Sequence, residues 1–277
     1  MPSPTEPPFG QALALGLLHG PAELLPVSSS GHVAVLPSLL GWSYTGADPQ
    51  LRKAFEVTLH AGTAAALLIS LRREVQEVVH GLEPRVIGAG VLTLAPAAIV
   101  GLVLERPIER RLGTPATIAG GLIAGSVAMA WADRAPQDRQ TADAGALDAL
   151  LLGLAQACAL VPGVSRSGAT VAAARARRFT RADSNRLSRH AALPVIAGAA
   201  FLKSLRLARR GLPARSRVPF AVGAAASFAS TLGFTRLVQG ERDRPLLPYA
   251  AYRLALAALV IKRRPGPVDR GPSAGRA

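Results

Sequence analysis

The hydrophobic positions of this chain form long apolar segments separated by short basic connectors. Six segments are candidate membrane spans: residues 86–104 and 115–132, which carry no charged side chain, residues 218–234 and 246–261, which are shorter, and residues 54–71 and 190–202, which contain ionisable side chains. The first two are long enough to cross a hydrocarbon core about 30 Å thick, because a helix rises about 1.5 Å per residue. The pattern predicts an all-α, polytopic membrane protein with about six transmembrane helices.

A shift of 137 residues superimposes the two halves of the sequence without a gap. It pairs Leu-Gly-Leu at residues 15–17 with the same tripeptide at residues 152–154, and it pairs Val27, Ser28, Ser30 and Gly31 with Val164, Ser165, Ser167 and Gly168. Each half contains an apolar helix, a hydroxyl-rich loop, a short helix and three further apolar segments. If the elements beside each loop re-enter the membrane without crossing it, three crossings separate the loops. An odd number predicts two inverted repeats with re-entrant helix pairs.

The repeat also divides the chain. We predict an N-terminal tail at residues 1–9, a first membrane repeat at 10–132, a polar linker at 133–144, a second membrane repeat at 145–261 and a disordered basic tail at 262–277.

Composition narrows the classes of function. The 277 residues carry a net charge of +15, but the basic side chains are spread over the connectors and aromatic residues make up only 4%. Nucleic-acid binding is therefore disfavoured, because it needs a concentrated basic patch, often with stacking aromatics. Basic connectors beside apolar spans instead match anionic lipid headgroups.

The first loop contains residue types that handle anions and protons. Glu23 lies at the end of an apolar helical run, where a carboxylate is costly and is a functional candidate. His19 precedes it by one helical turn, so the pair could hold a divalent cation or relay a proton. Ser28, Ser29, Ser30 and Gly31 supply hydroxyls and backbone amides for an anion, and His32 is a candidate acid, base or nucleophile.

The second loop contributes an arginine. Arg166 lies between Ser165 and Ser167, before Gly168, and its planar donor fork suits phosphate oxygens. Thr170 adds a hydroxyl about one helical turn further on. Because the repeat places this loop opposite the first, the two are predicted to form one divided phosphate site.

These motifs resemble those of the bacitracin-resistance family of undecaprenyl-diphosphate phosphatases. The similarity includes the segment from His19 to His32 and the Pro-Gly-Val-Ser-Arg-Ser-Gly motif at residues 162–168, and it extends over residues 10–261. The resemblance implies a multi-pass enzyme of the bacterial plasma membrane, with a role in cell-wall synthesis and bacitracin resistance. It would remove the terminal phosphate from a polyprenyl diphosphate lipid with Mg²⁺ or another divalent cation, and a homodimer is left open.

The resemblance also implies roles for individual residues. Glu23, together with His19, would hold the metal or a water molecule, and Ser29 and His32 would serve the attack on phosphorus. Arg166, Ser165, Ser167 and Thr170 would bind the diphosphate, together with Ser28, Ser30, Gly31 and Gly168 from the loops.

Two questions stay open at the level of sequence. The family has Glu or Gln where this chain has His19, which changes one expected metal ligand. The nucleophile could be a serine, His32 or an activated water molecule. The alternative function is a transporter of polyprenyl phosphate that uses the same loops without hydrolysis.

Overall fold

The computed structural model describes residues 7–72, 76, 83–210, 213–238 and 243–263. Within these ranges the fold is entirely helical, with ten α-helices, three short 3-10 helices and no strand. The first repeat comprises α1 (Phe9–Leu24), α2 (Ser29–Leu39), α3 (Pro49–Ser70), α4 (Pro84–Leu112) and α5 (Pro115–Ala132). The second comprises α6 (Ala146–Cys158), α7 (Arg166–Ala176), α8 (Arg181–Arg210), α9 (Arg217–Val238) and α10 (Leu247–Arg263). The all-α prediction is confirmed.

Local chemistry explains where several helices begin. Asp48 caps α3 by accepting hydrogen bonds from the amides of Gln50 and Leu51, and Thr114 caps α5 by accepting one from Thr117. A proline follows each of these caps at the first helical position, where its missing N–H has no bond to lose. The start of α2 and the start of α7 occupy the same position of the repeat, as the 137-residue shift predicts.

The two repeats pack reciprocally. Helix α1 makes its most extensive contact with α9 of the other repeat, and its counterpart α6 does the same with α4, while α5 packs on α10. Gly16 and Gly153 occupy equivalent positions in the two repeats and allow these two contacts. A Cβ on Gly16 would lie 2.6 Å from the Gly223 carbonyl oxygen, and a Cβ on Gly153 would lie 2.4 Å from the Leu92 carbonyl oxygen. Two copies related by an approximate two-fold axis produce this pattern.

The outer helices expose apolar side chains. On α4, Ile99, Leu102 and Val103 have 60%, 74% and 68% of their surface accessible. Among the described residues, three stretches are long and apolar enough to cross a membrane: Pro84–Leu104, Pro115–Ala132 and Ala214–Leu237. Helix α8 contains the predicted span 190–202, and α3 and α10 each contain all but one residue of the spans 54–71 and 246–261. A face this apolar needs lipid rather than water, so the prediction of a polytopic membrane protein is confirmed.

The predicted linker is held by ion pairs. Asp133 accepts hydrogen bonds from Arg181 at 2.9 and 3.1 Å and from the amide of Leu246 at 3.0 Å. Burial opposes ionisation of Asp133, but these donors hold the pKa of its carboxyl below the ordinary value. Asp148 likewise accepts from Arg139 and Arg177. These bonds fasten residues 133–144 to the second repeat.

Both predicted tails fall partly outside the described ranges. Residues 1–6 and 264–277 are not described, so the predicted disorder of 262–277 lies almost entirely beyond them, and α10 extends to Arg263. Helix α1 begins at Phe9, one residue before the predicted start of the first repeat.

Candidate functional site

The two hydroxyl-rich loops lie against each other. Arg166 Nη2 donates to Glu23 Oε1 at 3.1 Å, and Ser167 Oγ donates to the carbonyl oxygen of Leu25 at 2.9 Å. A Cβ built on Gly31 would lie 3.7 Å from the Cα of Gly163. The structure thus brings together the acid of the first repeat and the arginine of the second, 143 residues apart.

Ser28 and Ser165 have the same unusual backbone. Their φ angles are 77° and 72°, a region that residues with a side chain rarely adopt. Each serine hydroxyl accepts a hydrogen bond from the amide three residues later, at Gly31 and at Gly168. The two serines therefore cap α2 and α7, and the glycine amides that the sequence predicted to bind substrate donate to these caps.

Ser29 places its hydroxyl against a carboxylate. Its Oγ donates to Glu23 Oε2 at 2.5 Å, and both residues are buried. A short hydrogen bond to a carboxylate is the arrangement in which a hydroxyl can lose its proton as it attacks. The opposite carboxylate oxygen is held by Arg166, so Glu23 is oriented from both sides.

A cavity of about 460 Å³ opens over this pair. Seven of the predicted site residues line it: Glu23, Ser28, Ser29, Ser30, Ser165, Arg166 and Ser167. Lys53, Glu56 and His60 of α3 also line it. The sequence analysis did not select them, because Glu56 and His60 lie in a span chosen only for hydrophobicity and Lys53 immediately precedes it. The remaining wall is largely apolar and includes Ile108, Leu160, Val195 and Ile196.

His32 is placed apart from the cavity lining. Its Nδ1 lies 2.7 Å from the Ser28 carbonyl oxygen, and its Nε2 lies 2.7 Å from the Tyr252 hydroxyl. Because a carbonyl only accepts, Nδ1 carries the proton and Nε2 accepts from Tyr252. Only 1% of the His32 surface is accessible. In this arrangement His32 supports the strained carbonyl of Ser28.

Thr170 also points into the protein. Its hydroxyl lies 2.6 Å from Ser188 Oγ and within hydrogen-bond distance of the Arg166 and Ser167 carbonyl oxygens. It joins the first turn of α7 to α8, and it is not among the residues that line the cavity.

Arg253 binds both loops and is not among the residues that line the cavity. Its guanidinium is fully buried and donates to the carbonyl oxygens of Gly163 and Val164 at 2.9 and 2.8 Å, and to that of Pro26 at 3.3 Å. Carbonyl groups at a helix break need donors, and the arginine fork supplies several at once. An arginine within an apolar span is the sequence signal for this role.

His19 and Glu23, the predicted metal ligands, are joined by His60. One possible ligand atom from each of the three lies within 4.8 Å of the others. Two imidazoles and one carboxylate suit a divalent cation that accepts nitrogen ligands. They are a poor match for Mg²⁺, which prefers oxygen ligands in octahedral geometry.

The fold and the site together define a class: a polytopic membrane protein built of two repeats, whose paired hydroxyl-rich loops place an acid, a serine and an arginine in one cavity. The sequence model of a protein family, described as bacitracin resistance protein BacA, matches residues 12–259 of this chain. The chain therefore belongs to the BacA family.

Individual relatives also match this chain over most of its length. The chain is 40% identical to an undecaprenyl-diphosphatase of Geobacter sulfurreducens over 90% of this chain and 96% of the relative. It is 38% identical to the protein of that name from Geobacter metallireducens, with the same coverage. It is 33% identical to the one from Idiomarina loihiensis, over 91% of this chain and 97% of the relative.

Proposed function

We infer that this protein is an integral-membrane phosphatase that hydrolyses undecaprenyl diphosphate to undecaprenyl phosphate and inorganic phosphate. The observation that carries the inference is the contact among Ser29, Glu23 and Arg166 at one end of a cavity. A hydroxyl, a base and a bidentate anion ligand are the groups that transfer of a phosphoryl group requires. The names of the relatives supply the substrate.

Ser29 is proposed as the nucleophile. Its oxygen attacks the terminal phosphorus as its proton passes to Glu23, and the bond from that phosphorus to the bridging oxygen breaks. Undecaprenyl phosphate leaves with the proton from Glu23. Water then attacks the phosphoserine, gives one proton to Glu23, and releases phosphate as that proton returns to Ser29.

Arg166 is proposed to bind the phosphate oxygens on which charge develops. It is 18% exposed at its side chain, so it can turn from Glu23 towards a substrate in the cavity. A donor fork aimed at the transferring phosphoryl group stabilises the transition state more than the ground state. A divalent cation, when bound by His19, Glu23 and His60, would neutralise part of the same charge.

The apolar wall of the cavity supports a lipid substrate. Val195 and Ile196 of α8 and Ile108 of α4 give the first isoprene units an apolar surface next to the polar end. The proposed location is the bacterial plasma membrane, where the product would return to cell-wall synthesis. A homodimer remains a prediction of the resemblance.

Phosphate release from undecaprenyl diphosphate in detergent tests the function. The wild-type protein should release phosphate, and Ser29→Ala should lower kcat by at least about 10³-fold because it removes the nucleophile. Ser30→Ala, a neighbouring cavity serine, is the matched control and should stay within about tenfold of wild type. Activity of Ser29→Ala within that range would remove Ser29 from the reaction. A folded wild type that releases no phosphate would overturn the phosphatase assignment.

Nothing in the described residues or in the names of the relatives favours transport without hydrolysis. The same assay on protein in vesicles separates the two functions, because a transporter would move the lipid without producing phosphate.

A further inference from the structure

We propose that the cation site of this protein is built for a first-row transition-metal dication of the Zn²⁺ type, held by His19, Glu23 and His60, rather than for Mg²⁺. The inference rests on the proposed function in that it concerns the same cavity. Its ligand set, however, is argued from the contacts of three side chains and their neighbours.

His19 presents one nitrogen to the site. Its Nδ1 lies 2.9 Å from Thr63 Oγ1, which lies 3.1 Å from Thr231 Oγ1. Thr231 donates its only hydroxyl proton to the Ser227 carbonyl oxygen, so Thr63 must donate to Thr231 and accept from His19. This relay places the His19 proton on Nδ1 and leaves a lone pair on Nε2.

That lone pair has no other use in the structure. His19 is fully buried, and within the described ranges its Nε2 has no hydrogen-bond partner. A buried polar atom without a partner costs free energy, and a bound cation would satisfy it. The second hydrogen bond of a metal-binding histidine normally fixes its tautomer in this way.

A hydrogen bond at Nδ1 fixes the tautomer of His60 as well. Its Nδ1 lies 2.9 Å from the Glu56 carbonyl oxygen, which only accepts, so Nδ1 carries the proton and Nε2 is free to coordinate. Nε2 lies 4.0 Å from Glu23 Oε2, and the His60 ring meets the His19 ring edge-on with centroids 4.5 Å apart. His60 therefore directs an unprotonated nitrogen towards Glu23, and one ligand atom of His19 lies within 4.8 Å of both residues.

The ligand types decide the class of cation. Two histidines and one glutamate with a further position open form a common catalytic zinc set. Imidazole suits Zn²⁺, Cu²⁺, Fe²⁺ and Ni²⁺, whereas Mg²⁺ dehydrates reluctantly and is bound through oxygens. The three atoms must move closer to coordinate one ion, since bonds to Zn²⁺ are about 2.0–2.2 Å long. His60, with its side chain 35% exposed to the cavity, has room to do so.

Metal binding to the apo protein is the direct test. Untagged protein in detergent, stripped by a chelator, would be titrated with Co²⁺ and its visible ligand-field spectrum recorded, with Zn²⁺ and Mg²⁺ as competitors. We expect one Co²⁺ per chain with the spectrum of a nitrogen-containing site. Equimolar Zn²⁺ should displace it, and Mg²⁺ in about 100-fold excess should not.

Variants assign the ligands. His60→Gln and His19→Gln should each weaken Co²⁺ binding by at least about 100-fold and change the spectrum. Thr63→Val, which removes the hydroxyl between His19 and Thr231 but no ligand, should weaken it by about 10–100-fold, with Thr63→Ser restoring affinity. His190→Gln, an imidazole outside the cluster, is the matched control and should bind as wild type does.

The outcomes separate this inference from the proposed function. Equal competition by Mg²⁺, or a Co²⁺ spectrum that survives both His19→Gln and His60→Gln, would overturn the transition-metal site. Phosphate release that persists in either of those cases would leave the phosphatase standing and favour a proton relay at His19. Normal metal binding without phosphate release would overturn the phosphatase and leave the metal site in place.

Discussion

The hydroxyl-rich loops of the first and second repeats have the same backbone conformation but carry side chains of different chemistry. Ser28 and Ser165 share a positive φ and the same cap, and the helices that follow both contain eleven residues. The side chains at equivalent positions differ: Glu23 corresponds to Leu160, Ser29 to Arg166, His19 to Gln156 and His32 to Ala169. The repeat gives both loops the same geometry, and the differences at equivalent positions give each loop a different chemical function.

The division has an electrostatic reason. A diphosphate needs positive charge around its oxygens, a hydroxyl nucleophile needs a base beside it, and each repeat supplies one of the two. With the acid and hydroxyl on one repeat and the arginine on the other, Glu23 holds Arg166 in the absence of substrate. Substrate can then replace Glu23 as the partner of Arg166.

The largest effect is expected from a substitution of Arg166, which removes the contribution of the second loop to the site. Arg166→Ala should lower kcat/KM for phosphate release by about 10³-fold or more, because it removes the anion ligand and the partner of Glu23. Arg166→Lys should recover only part of the loss, since one ammonium cannot form the fork. If Arg166→Ala stays within about tenfold of wild type, the second loop does not bind the phosphoryl group.

Arg253 tests whether the two loops depend on one support. Arg253→Met should lower the free energy of unfolding in mixed micelles by about 3 kcal/mol, because carbonyl groups of both loops lose their donor. Gly125→Ala should cost about 1–3 kcal/mol, since a Cβ there would lie 2.2 Å from Arg253 Nη2.

Gly120→Ala is the control for that pair, since no atom lies within 4 Å of a Cβ at this position of α5. Unchanged stability of Arg253→Met would show that each loop holds its own shape. Equal effects of Gly120→Ala and Gly125→Ala would trace the cost to the helix instead of Arg253.

His32 sharpens the comparison, because the second loop has Ala169 in its place. We expect His32→Ala to lower kcat by about 10²-fold through loss of its hydrogen bond to Ser28. His32→Asn offers an amide donor where Nδ1 was, and should return activity to within about tenfold of wild type with little change in KM. Equal loss in both variants would mean that Nε2 acts on the substrate.

The smallest effects are expected for substitutions of Ser28 and Ser165, the two serines with positive φ. Ser28→Ala and Ser165→Ala should each cost about 1 kcal/mol of unfolding free energy through loss of a helix cap, and the glycine variants less, because glycine tolerates positive φ. The two loops should respond alike in thermal unfolding although they differ in chemistry. A difference well above 1 kcal/mol between them would show that they are not equivalent in structure.

Several features followed from the order of residues alone. Apolar segments longer than a bilayer is thick have few folds available to them, because every backbone group in lipid must be bonded within the chain. The helices, the repeat and the two loops could therefore be predicted. So could the meeting of the two loops in one site, because the repeat placed them at equivalent positions; the ion pair between Glu23 and Arg166 is seen only in the structure.

Only the tertiary structure decided which side chains complete the site. His60 joins His19 and Glu23 from α3, Tyr252 meets His32 across 220 residues, and Arg253 reaches carbonyl oxygens of both loops. The repeat could not reveal them, because the equivalent positions are Ala197, Pro115 and Ala116. Local pattern determines which segments are helical and which loops are alike, whereas contacts between distant helices depend on how those helices pack. In this protein that packing brings together the proposed metal ligands and the residues that support the loops.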